Sequence, residues 1–357
     1  MDINARRQIN DYHFPGSEAL LSSAGLTREE WQMVTRRTLL AMGVVAGGAA
    51  LGAGLLADGY GKAMRAANAA IDPGLSSLIA TRFGMLEYAE RGAGAPLLMV
   101  HGTGGGFDQG LLFAHGLVER GYRVIAPSRF GYLRSDMPDD PSSANQADAF
   151  VALLDHLGID QVAIAGGSAG ALSAIEFAIR HPDRCAALLP IVPATYVPSR
   201  DAVTADNAPA GVAAAMLLLR SDFLCWAAIR TAPHLLLGTL LATDPALLDT
   251  ASPAEAARAE TILWSLLPVS RRVEGMSNDA QLAGHPAPAA LDRITAPLLA
   301  ISVADDRFGT ALAARHIAAS VKQAELVIFP TGGHIWLGHD DDLTDQMDLF
   351  LQKIGYA

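Results

Sequence analysis

The sequence predicts an α/β fold in which a parallel β-sheet is wrapped by helices. From about residue 81, short apolar runs follow one another and are separated by stretches with helical periodicity. Two of these runs, APLLMVHG (95–102) and YRVIAPS (122–128), are continuously apolar, which is typical of strands buried on both faces. Strands that alternate with helices of about a dozen residues indicate a parallel sheet, because each crossover helix returns the chain to the same end.

The individual elements can be assigned in order along the chain. RFGMLEYAERG (82–92) alternates apolar and polar residues and is predicted to be a strand that ends at Gly92. In the stretch 144–157 apolar residues recur at helical spacing, and Pro182 ends a helix that begins at residue 171. The other predicted strands are 161–167, 185–193, 297–305 and 325–334, and a further helical pattern covers 108–119.

A long helical stretch without clear strands lies between the strands at 185–193 and 297–305. It includes residues 211–245, which are dense in leucine and alanine. Because strands resume after it, this stretch is predicted to be a helical cap inserted into the sheet domain at about 195–290. The sheet domain with its cap is assigned to residues 76–357.

Residues 1–75 are assigned to an N-terminal appendage. Its run LLAMGVVAGGAALGAGLLA (39–57) has no charged residue, and as a helix it would span about 28 Å, close to a bilayer core. The pair Arg36-Arg37 before this weakly apolar run resembles a twin-arginine export signal, which predicts a location in the bacterial periplasm or cell envelope. An uncleaved membrane anchor and a helix packed on the soluble domain remain alternatives to a signal cleaved near 67–69.

Composition and charge argue against several classes of partner. Hydrophobic residues make up 51% of the chain and charged residues 18%, which is enough apolar material for a sizeable core. The net charge of −11, without a basic block, argues against nucleic acid. Cys185 and Cys225 allow at most one disulfide, and no His-Cys pattern suggests a metal site, so neither metal nor organic cofactor is expected.

The stretch AGGSAG (165–170) falls between a predicted strand and a predicted helix. It fits the pattern G-x-S-x-G, in which a sharp strand-to-helix turn holds the serine in a strained backbone conformation. Gly166 and Gly170 supply the space that such a turn needs. The start of the following helix also directs N–H groups towards a developing anion. Ser168 is therefore the candidate nucleophile.

A serine nucleophile needs a base and an acid that orients the base. His334 lies on a Gly-Gly loop just past the last predicted strand and is the candidate base, with His339 as its rival. Asp306 is the candidate acid, because the acid precedes the histidine in this arrangement and Asp306 ends a strand. Asp305 is expected to form the turn or cap it, and Asp201 is a second option for the acid.

The glycine-rich loop HGTGGG (101–106) is the candidate oxyanion loop. Acyl transfer needs backbone N–H groups that stabilise the oxyanion, and the residue after the nucleophile, Ala169, supplies one. Thr103 is preferred to Gly104 as the second donor. No lysine follows the loop in the pattern of a phosphate-binding loop, and His101 is expected to be a structural hydrogen-bonding residue.

Together these motifs resemble those of the α/β-hydrolase superfamily over about residues 81–355. HGTGGG, APSRFGYLRSD (126–136), GGSAG, VADDRFG and GGH occur in the order and approximate spacing of that superfamily. The resemblance implies a mostly parallel sheet of about eight strands with helices on both faces and a cap after the sixth strand. Ser128 and Leu133 depart from its usual D-R-x-G-x-G-x-S pattern, which affects local loop geometry and not the catalytic assignment.

The predicted function is that of a carboxylesterase-like serine hydrolase working through an acyl-enzyme. The dehalogenase and epoxide-hydrolase branches of the superfamily carry aspartate where this chain has Ser168. The apolar cap, with Trp226 and Trp264, indicates a small to medium apolar ester, unless this composition reflects cap packing alone. Alternatives on the same fold are a carbon–carbon bond hydrolase, a lactonase and a cofactor-free haloperoxidase. A non-catalytic binding protein is the alternative of a different class.

Overall fold

The computed structural model describes residues 56–200 and 219–356. The chain divides into two compact units, Met1–Lys62 and Ala63–Ala357. Of the first unit, residues 56–62 are described, and they are helical. The twin arginine and residues 39–55 of the charge-free run lie outside the described residues. Within the described ranges no helix combines the length and the apolarity that a membrane crossing requires.

The larger unit is built on a sheet of eight strands, as the resemblance implied. The spatial order is β1-β2-β4-β3-β5-β6-β7-β8. The strands β1 and β2 pair antiparallel, as do β2 and β4, and all other neighbours are parallel. The strands are β1 (Ser77–Thr81), β2 (Gly84–Arg91), β3 (Pro96–Val100), β4 (Arg123–Pro127), β5 (Val162–Gly167), β6 (Cys185–Ile191), β7 (Leu298–Val303) and β8 (Ala324–Phe329).

Helices cover the sheet and form the cap. Those of the sheet layer are α1 (Phe107–Phe113), α2 (His115–Glu119), α3 (Ser143–Leu157), α4 (Gly170–Arg180), α9 (Thr310–Ser320) and α10 (Asp340–Lys353). Those of the cap are α5 (Asp222–Thr231), α6 (Pro233–Thr239), α7 (Pro253–Trp264) and α8 (Val273–Leu282). The cap therefore occupies part of the predicted insertion at 195–290, of which residues 201–218 lie outside the described residues.

Both faces of the sheet are buried, which explains the continuous apolar runs. In β3, Leu98 and Val100 join a core cluster that contains Phe150 of α3. Leu97, on the opposite face, joins a second cluster that contains Phe350 of α10. Alternate residues of one strand thus face two helical layers, and a strand in this position has no polar face.

Three predicted elements differ from the structure. The strand predicted at 82–92 is β2 and starts later, at Gly84, because the chain reverses there with a φ of +103° at Gly84; the strand before the reversal, β1, was not predicted. The helix predicted at 108–119 is divided at Ala114, whose φ of −110° and ψ of 13° are not helical. The strand predicted at 325–334 ends at Phe329, since Gly332 and Gly333 have φ of +132° and +61°.

Residues just before β1 pack on the sheet domain. Ile71 is buried in a small cluster with Ala89, Phe107 and Ala126. The larger unit begins at Ala63, so residues 63–75 of the predicted appendage belong to the same unit as the sheet. Cys185 and Cys225 are both buried free thiols, and the disulfide that the sequence allowed is not formed.

Candidate active site

Ser168 lies in the tight turn between β5 and α4. Its φ is +51°, a left-handed conformation that costs free energy for a non-glycine residue. Three hydrogen bonds hold it there: its N–H donates to Ile191 O (2.9 Å), and its carbonyl oxygen accepts from the N–H groups of Ala171 and Ala194 (3.1 Å each). The surrounding backbone therefore fixes the strained residue in place.

The glycines on each side of Ser168 allow the strand and the helix to approach. A Cβ on Gly166 would lie 2.7 Å from Gly170 O, and a Cβ on Gly170 would lie 2.5 Å from His101 O. Side chains at these two positions would push α4 away from the sheet. The glycine-rich composition of the turn is thus a requirement of its packing.

The structure brings Ser168, His334 and Asp306 into one hydrogen-bonded chain. Ser168 Oγ is 2.9 Å from His334 Nε2, and His334 Nδ1 is 2.8 Å from Asp306 Oδ2. The ring of His334 packs edge-on against Phe308, with centroids 4.9 Å apart. A carboxylate on Nδ1 holds the proton of the neutral imidazole there, which leaves Nε2 free to accept the proton of the Ser168 hydroxyl.

The Asp306 carboxylate is buried and fully engaged. Burial alone would raise its pKa, but the charge of His334 and the hydrogen bonds around the carboxylate lower the pKa below its usual value. These bonds come from His334, from the hydroxyl of Thr310 and from the N–H of Phe308, which is 2.9 Å from Asp306 Oδ1. Asp306 is therefore ionised over the whole range in which a serine hydrolase works.

The alternative residues take other positions. Asp305 accepts the N–H groups of Gly333 (2.8 Å) and Gly332 (3.3 Å), so it fixes the loop that carries His334. His339 Nδ1 lies 2.9 Å from Asp342 Oδ2, and its ring stacks on Phe329 at 4.6 Å. Asp201 lies outside the described residues.

His101 is held as a structural residue, as the sequence predicted. Its Nδ1 is 2.7 Å from Gly102 O, and its Nε2 accepts the N–H of Arg129 at 2.9 Å. Complete burial, followed by the charge of Arg129, lowers the pKa of His101 well below its usual value. A neutral imidazole with both nitrogens occupied cannot act as a base for a substrate.

Two backbone N–H groups near Ser168 are unengaged. Gly102 donates to Gln109 Oε1 (3.1 Å), and Gly104 donates to Tyr132 Oη (3.2 Å). Within the described ranges, the N–H groups of Thr103 and Ala169 have no acceptor. A Cβ on Gly102 would lie 3.2 Å from Ser168 Cβ, so this loop runs directly past the serine. The geometry thus favours Thr103 over Gly104 as the second oxyanion donor.

A cavity of about 440 Å³ opens onto Ser168 and His334. Among the described residues that line it, none is lysine or arginine, and most are apolar. The cap side contributes Leu219, Leu240, Leu241, Ile262, Leu266, Met276, Ala280 and Ala283, and the sheet side contributes Phe113, Val192, Phe308, Ile335 and Trp336. Trp226 and Trp264, which the sequence singled out, are not among the described lining residues.

One part of the site was missed by the sequence analysis. Asp279 of α8 lines the cavity, is 2% exposed, and forms two hydrogen bonds of 2.6 Å with the guanidinium of Arg129. The pair joins the cap to the loop after β4. Arg129 stands in the quoted motif 126–136, but nothing in the sequence shows that its partner lies in α8.

Within residues 56–200 and 219–356, no group of three or more His, Cys, Asp or Glu side chains is arranged to hold a metal ion.

Comparison with known proteins finds similarity to α/β-hydrolases. A family model described as alpha/beta hydrolase fold matches residues 95–220. The uncharacterized hydrolase YcgS of Bacillus subtilis is 41% identical over 101 residues, which are 28% of this chain and 35% of that protein. The 2-hydroxy-6-oxo-6-phenylhexa-2,4-dienoate hydrolase of Comamonas testosteroni is 34% identical over 105 residues, which are 28% of this chain and 37% of that protein. The match thus spans about a third of the length of these curated relatives.

Solved structures resemble the chain over a greater length. An alpha/beta hydrolase fold protein from Nakamurella multipartita superposes with a TM-score of 0.59 at 25% identity, covering 78% of this chain and 99% of that one. A thermophilic esterase from Thermogutta terrifontis superposes with a TM-score of 0.55 at 19% identity, covering 78% and 98%. At this level of identity, the second similarity concerns the fold alone.

Proposed function

Because the chain belongs to the α/β-hydrolase superfamily, we propose that it is a serine hydrolase that cleaves esters of uncharged, apolar acids. The observation that carries the proposal is the continuous chain Ser168–His334–Asp306, with bonds of 2.9 and 2.8 Å, whose serine and histidine line a mostly apolar cavity. The two unengaged N–H groups beside the serine support it.

The proposed reaction begins with attack of Ser168 Oγ on the ester carbonyl. His334 Nε2 takes the hydroxyl proton, and the N–H groups of Thr103 and Ala169 donate to the oxyanion. Each such donor is worth about 3 kcal/mol in comparable sites. His334 then gives the proton to the leaving alkoxide as the C–O bond breaks, and an acyl-enzyme forms. Water, deprotonated by His334, attacks the acyl carbon and releases the acid and Ser168.

The substrate class follows from the charge of the cavity. A buried carboxylate needs a cationic partner, and the described cavity lining offers neither lysine nor arginine. The described lining does contain one carboxylate, that of Asp279. Both oxygens of this carboxylate already accept hydrogen bonds from Arg129. An anionic substrate would therefore be bound poorly, whereas an uncharged acyl chain would gain from burial against leucine, isoleucine and phenylalanine side chains.

A carbon–carbon bond hydrolase is the second candidate. It is favoured by the similarity of one segment of the chain to hydrolases named for dienoate substrates. A dienoate is a carboxylate, however, and the described cavity lining, which has neither lysine nor arginine, argues for the ester. The two candidates share the serine, so only the substrate distinguishes them.

Fluorophosphonate labelling and turnover together test the proposal. The wild-type protein is expected to be labelled stoichiometrically, and Ser168→Ala is expected to lose both labelling and hydrolysis of p-nitrophenyl butyrate. Ser173→Ala is the control, because Ser173 lies in α4 and, among the described residues, its hydroxyl bonds only to Gly170 O. A wild-type protein that is folded but neither labels nor turns over esters would contradict the proposal. Turnover of 2-hydroxy-6-oxo-6-phenylhexa-2,4-dienoate without ester turnover would favour the second candidate.

A further inference from the structure

The loop that carries the Thr103 N–H is held in place by Tyr132, whose side chain contacts the next residue, Gly104. Gly105 N–H donates to Gly102 O at 3.3 Å, so residues 102–105 form a turn. Gly104, the third residue of this turn, has a φ of +81°, which is typical of a type II turn. Its N–H is directed away from the turn and donates to Tyr132 Oη at 3.2 Å.

The orientation of the central peptide decides what the turn presents to Ser168. In a type II turn, rotation of the peptide between the second and third residues gives a type I turn and exchanges the sides of its C=O and N–H groups. Rotation of the 103–104 peptide would therefore turn the Thr103 carbonyl dipole and shift the neighbouring Thr103 N–H. The hydrogen bond from Gly104 to Tyr132 opposes that rotation.

The direction of the Tyr132 hydroxyl is fixed by a carboxylate of the cap. Asp279 Oδ2 lies 2.5 Å from Tyr132 Oη, and the same carboxylate pairs with Arg129. An ionised carboxylate can only accept, so Tyr132 donates its single proton to Asp279 and keeps its lone pairs for the Gly104 N–H. Burial, reinforced by the charge of Asp279, raises the pKa of Tyr132 well above its usual value, so the hydroxyl stays protonated.

The ring of Tyr132 is fixed as well. It is fully buried and meets the ring of His101 edge-on, with centroids 4.7 Å apart. His101 begins the same loop. The tyrosine thus touches the loop at its start through the ring and at Gly104 through the hydroxyl.

We propose that Tyr132 is a positioning residue for the oxyanion hole, oriented by Asp279 of the cap helix α8. Tyr132 does not touch the substrate. It acts through Gly104 on the Thr103 N–H, so the cap that encloses the cavity also sets the geometry of the oxyanion site. The inference rests on the proposed serine hydrolase function.

The test compares Tyr132→Phe with wild type on p-nitrophenyl butyrate and on a trifluoromethyl ketone. The ketone forms a tetrahedral adduct with serine whose oxyanion needs the same N–H groups. We expect kcat to fall about 10- to 100-fold with KM changed less than about threefold, since a whole oxyanion donor is worth about 10²- to 10³-fold. The inhibition constant of the ketone is expected to rise by the same factor as kcat/KM falls.

The matched control is Tyr122→Phe. Tyr122 is also buried, and its hydroxyl donates to a carboxylate, Asp348 of α10, at 2.7 Å; neither residue is among the described residues that line the cavity. It should lose a similar hydrogen bond without changing kcat or the ketone constant. If Tyr132→Phe keeps kcat within about twofold of wild type, or raises KM by the factor by which kcat falls, the inference is overturned.

A measurement on the wild-type protein covers the case in which Tyr132→Phe does not fold. Amide hydrogen exchange of the unliganded protein should show the Gly104 N–H protected and the Thr103 N–H exchanging freely. Rapid exchange at both positions would overturn the inference. If the wild type shows protection at Gly104 but neither labels nor hydrolyses esters, the proposed function fails while the contact itself stands.

Discussion

The two glycines that precede Ser168 differ in the space around them, although they are adjacent in the sequence. A Cβ on Gly166 would meet backbone atoms at 2.7 Å (Gly170 O) and 2.9 Å (the N and Cα of Ala171). A Cβ on Gly167 would find its nearest neighbour, Phe113 Cδ2, at 3.9 Å. Neither residue has a positive φ. Gly166→Ala and Gly167→Ala therefore form a matched pair that tests packing alone.

The expected cost of Gly166→Ala follows from these distances. Carbon–carbon and carbon–oxygen contacts below 3.0 Å are not sustained, so α4 must move by several tenths of an ångström from β5. Overpacking of this kind costs about 1–3 kcal/mol, which lowers Tm by roughly 5 °C in a domain of this size. Gly167→Ala should be neutral or stabilising by about 0.5 kcal/mol, because alanine restricts the unfolded chain more than glycine does.

The same displacement moves Ser168 against His334. A shift of 1 Å in a catalytic group can cost about 100-fold, so a shift of about half that size predicts a roughly 10-fold slower fluorophosphonate labelling rate. Differential scanning calorimetry and the labelling rate are measured on both variants. Equal Tm and equal labelling rates for the two variants would refute the argument that Gly166 provides space for the strand-to-helix turn.

Further predictions concern the acid, the thiols and the N-terminus. Asp306→Asn should lower kcat about 10⁴-fold in a folded protein, because an amide on Nδ1 permits the wrong histidine tautomer. Since folding lowers the pKa of Asp306 from 3.8, the ionised carboxylate contributes its full stabilisation of the folded protein above pH 3.8, and this contribution is lost as pH falls through the folded pKa. The stability of Asp306→Asn should therefore depend less on pH below 3.8 than that of the wild type. Burial raises the pKa of Cys185 and Cys225 to about 12, so N-ethylmaleimide at pH 8 should modify both thiols only after unfolding, as mass spectrometry would show. We also propose export through the twin-arginine signal: replacing Arg36 and Arg37 by lysine should shift the protein to the cytoplasmic fraction, and an unchanged distribution would contradict it.

The proposed catalytic residues could be predicted because each belongs to a short local pattern at the end of a strand. Ser168 lies between small residues, His334 follows two glycines, and Asp306 follows β7. The carboxyl ends of parallel strands meet at one edge of the sheet, so three local patterns were enough to bring the side chains together. The sequence also favoured Asp306 over Asp305, and in the structure Asp306 contacts His334 while Asp305 accepts the N–H groups of the loop that carries this histidine.

The cap could not be predicted in the same way. The sequence of α8, VEGMSNDAQL, has a mixed polar character and gives no clear apolar stripe. The bond from Tyr132 to Asp279 joins residues 147 positions apart, and the bond from Arg129 to Asp279 joins residues 150 positions apart. Periodicity and local motifs carry no information about such pairs. The polar network between cap and sheet domain is therefore visible only in three dimensions.

The buried pair of Arg129 and Asp279 is not explained by stability. Two charges at 7% and 2% exposure lose most of their hydration, and well-packed apolar side chains in their place are often as stable or more stable. An apolar pair could not, however, fix which way the Tyr132 hydroxyl points, and its hydrogen could then rotate towards the Gly104 N–H, where the oxygen must accept. The carboxylate removes that freedom because it accepts and never donates. The position of Asp279 between the cavity and the oxyanion loop is therefore explained by the direction that it gives to the Tyr132 hydroxyl, and not by the strength of its ion pair with Arg129.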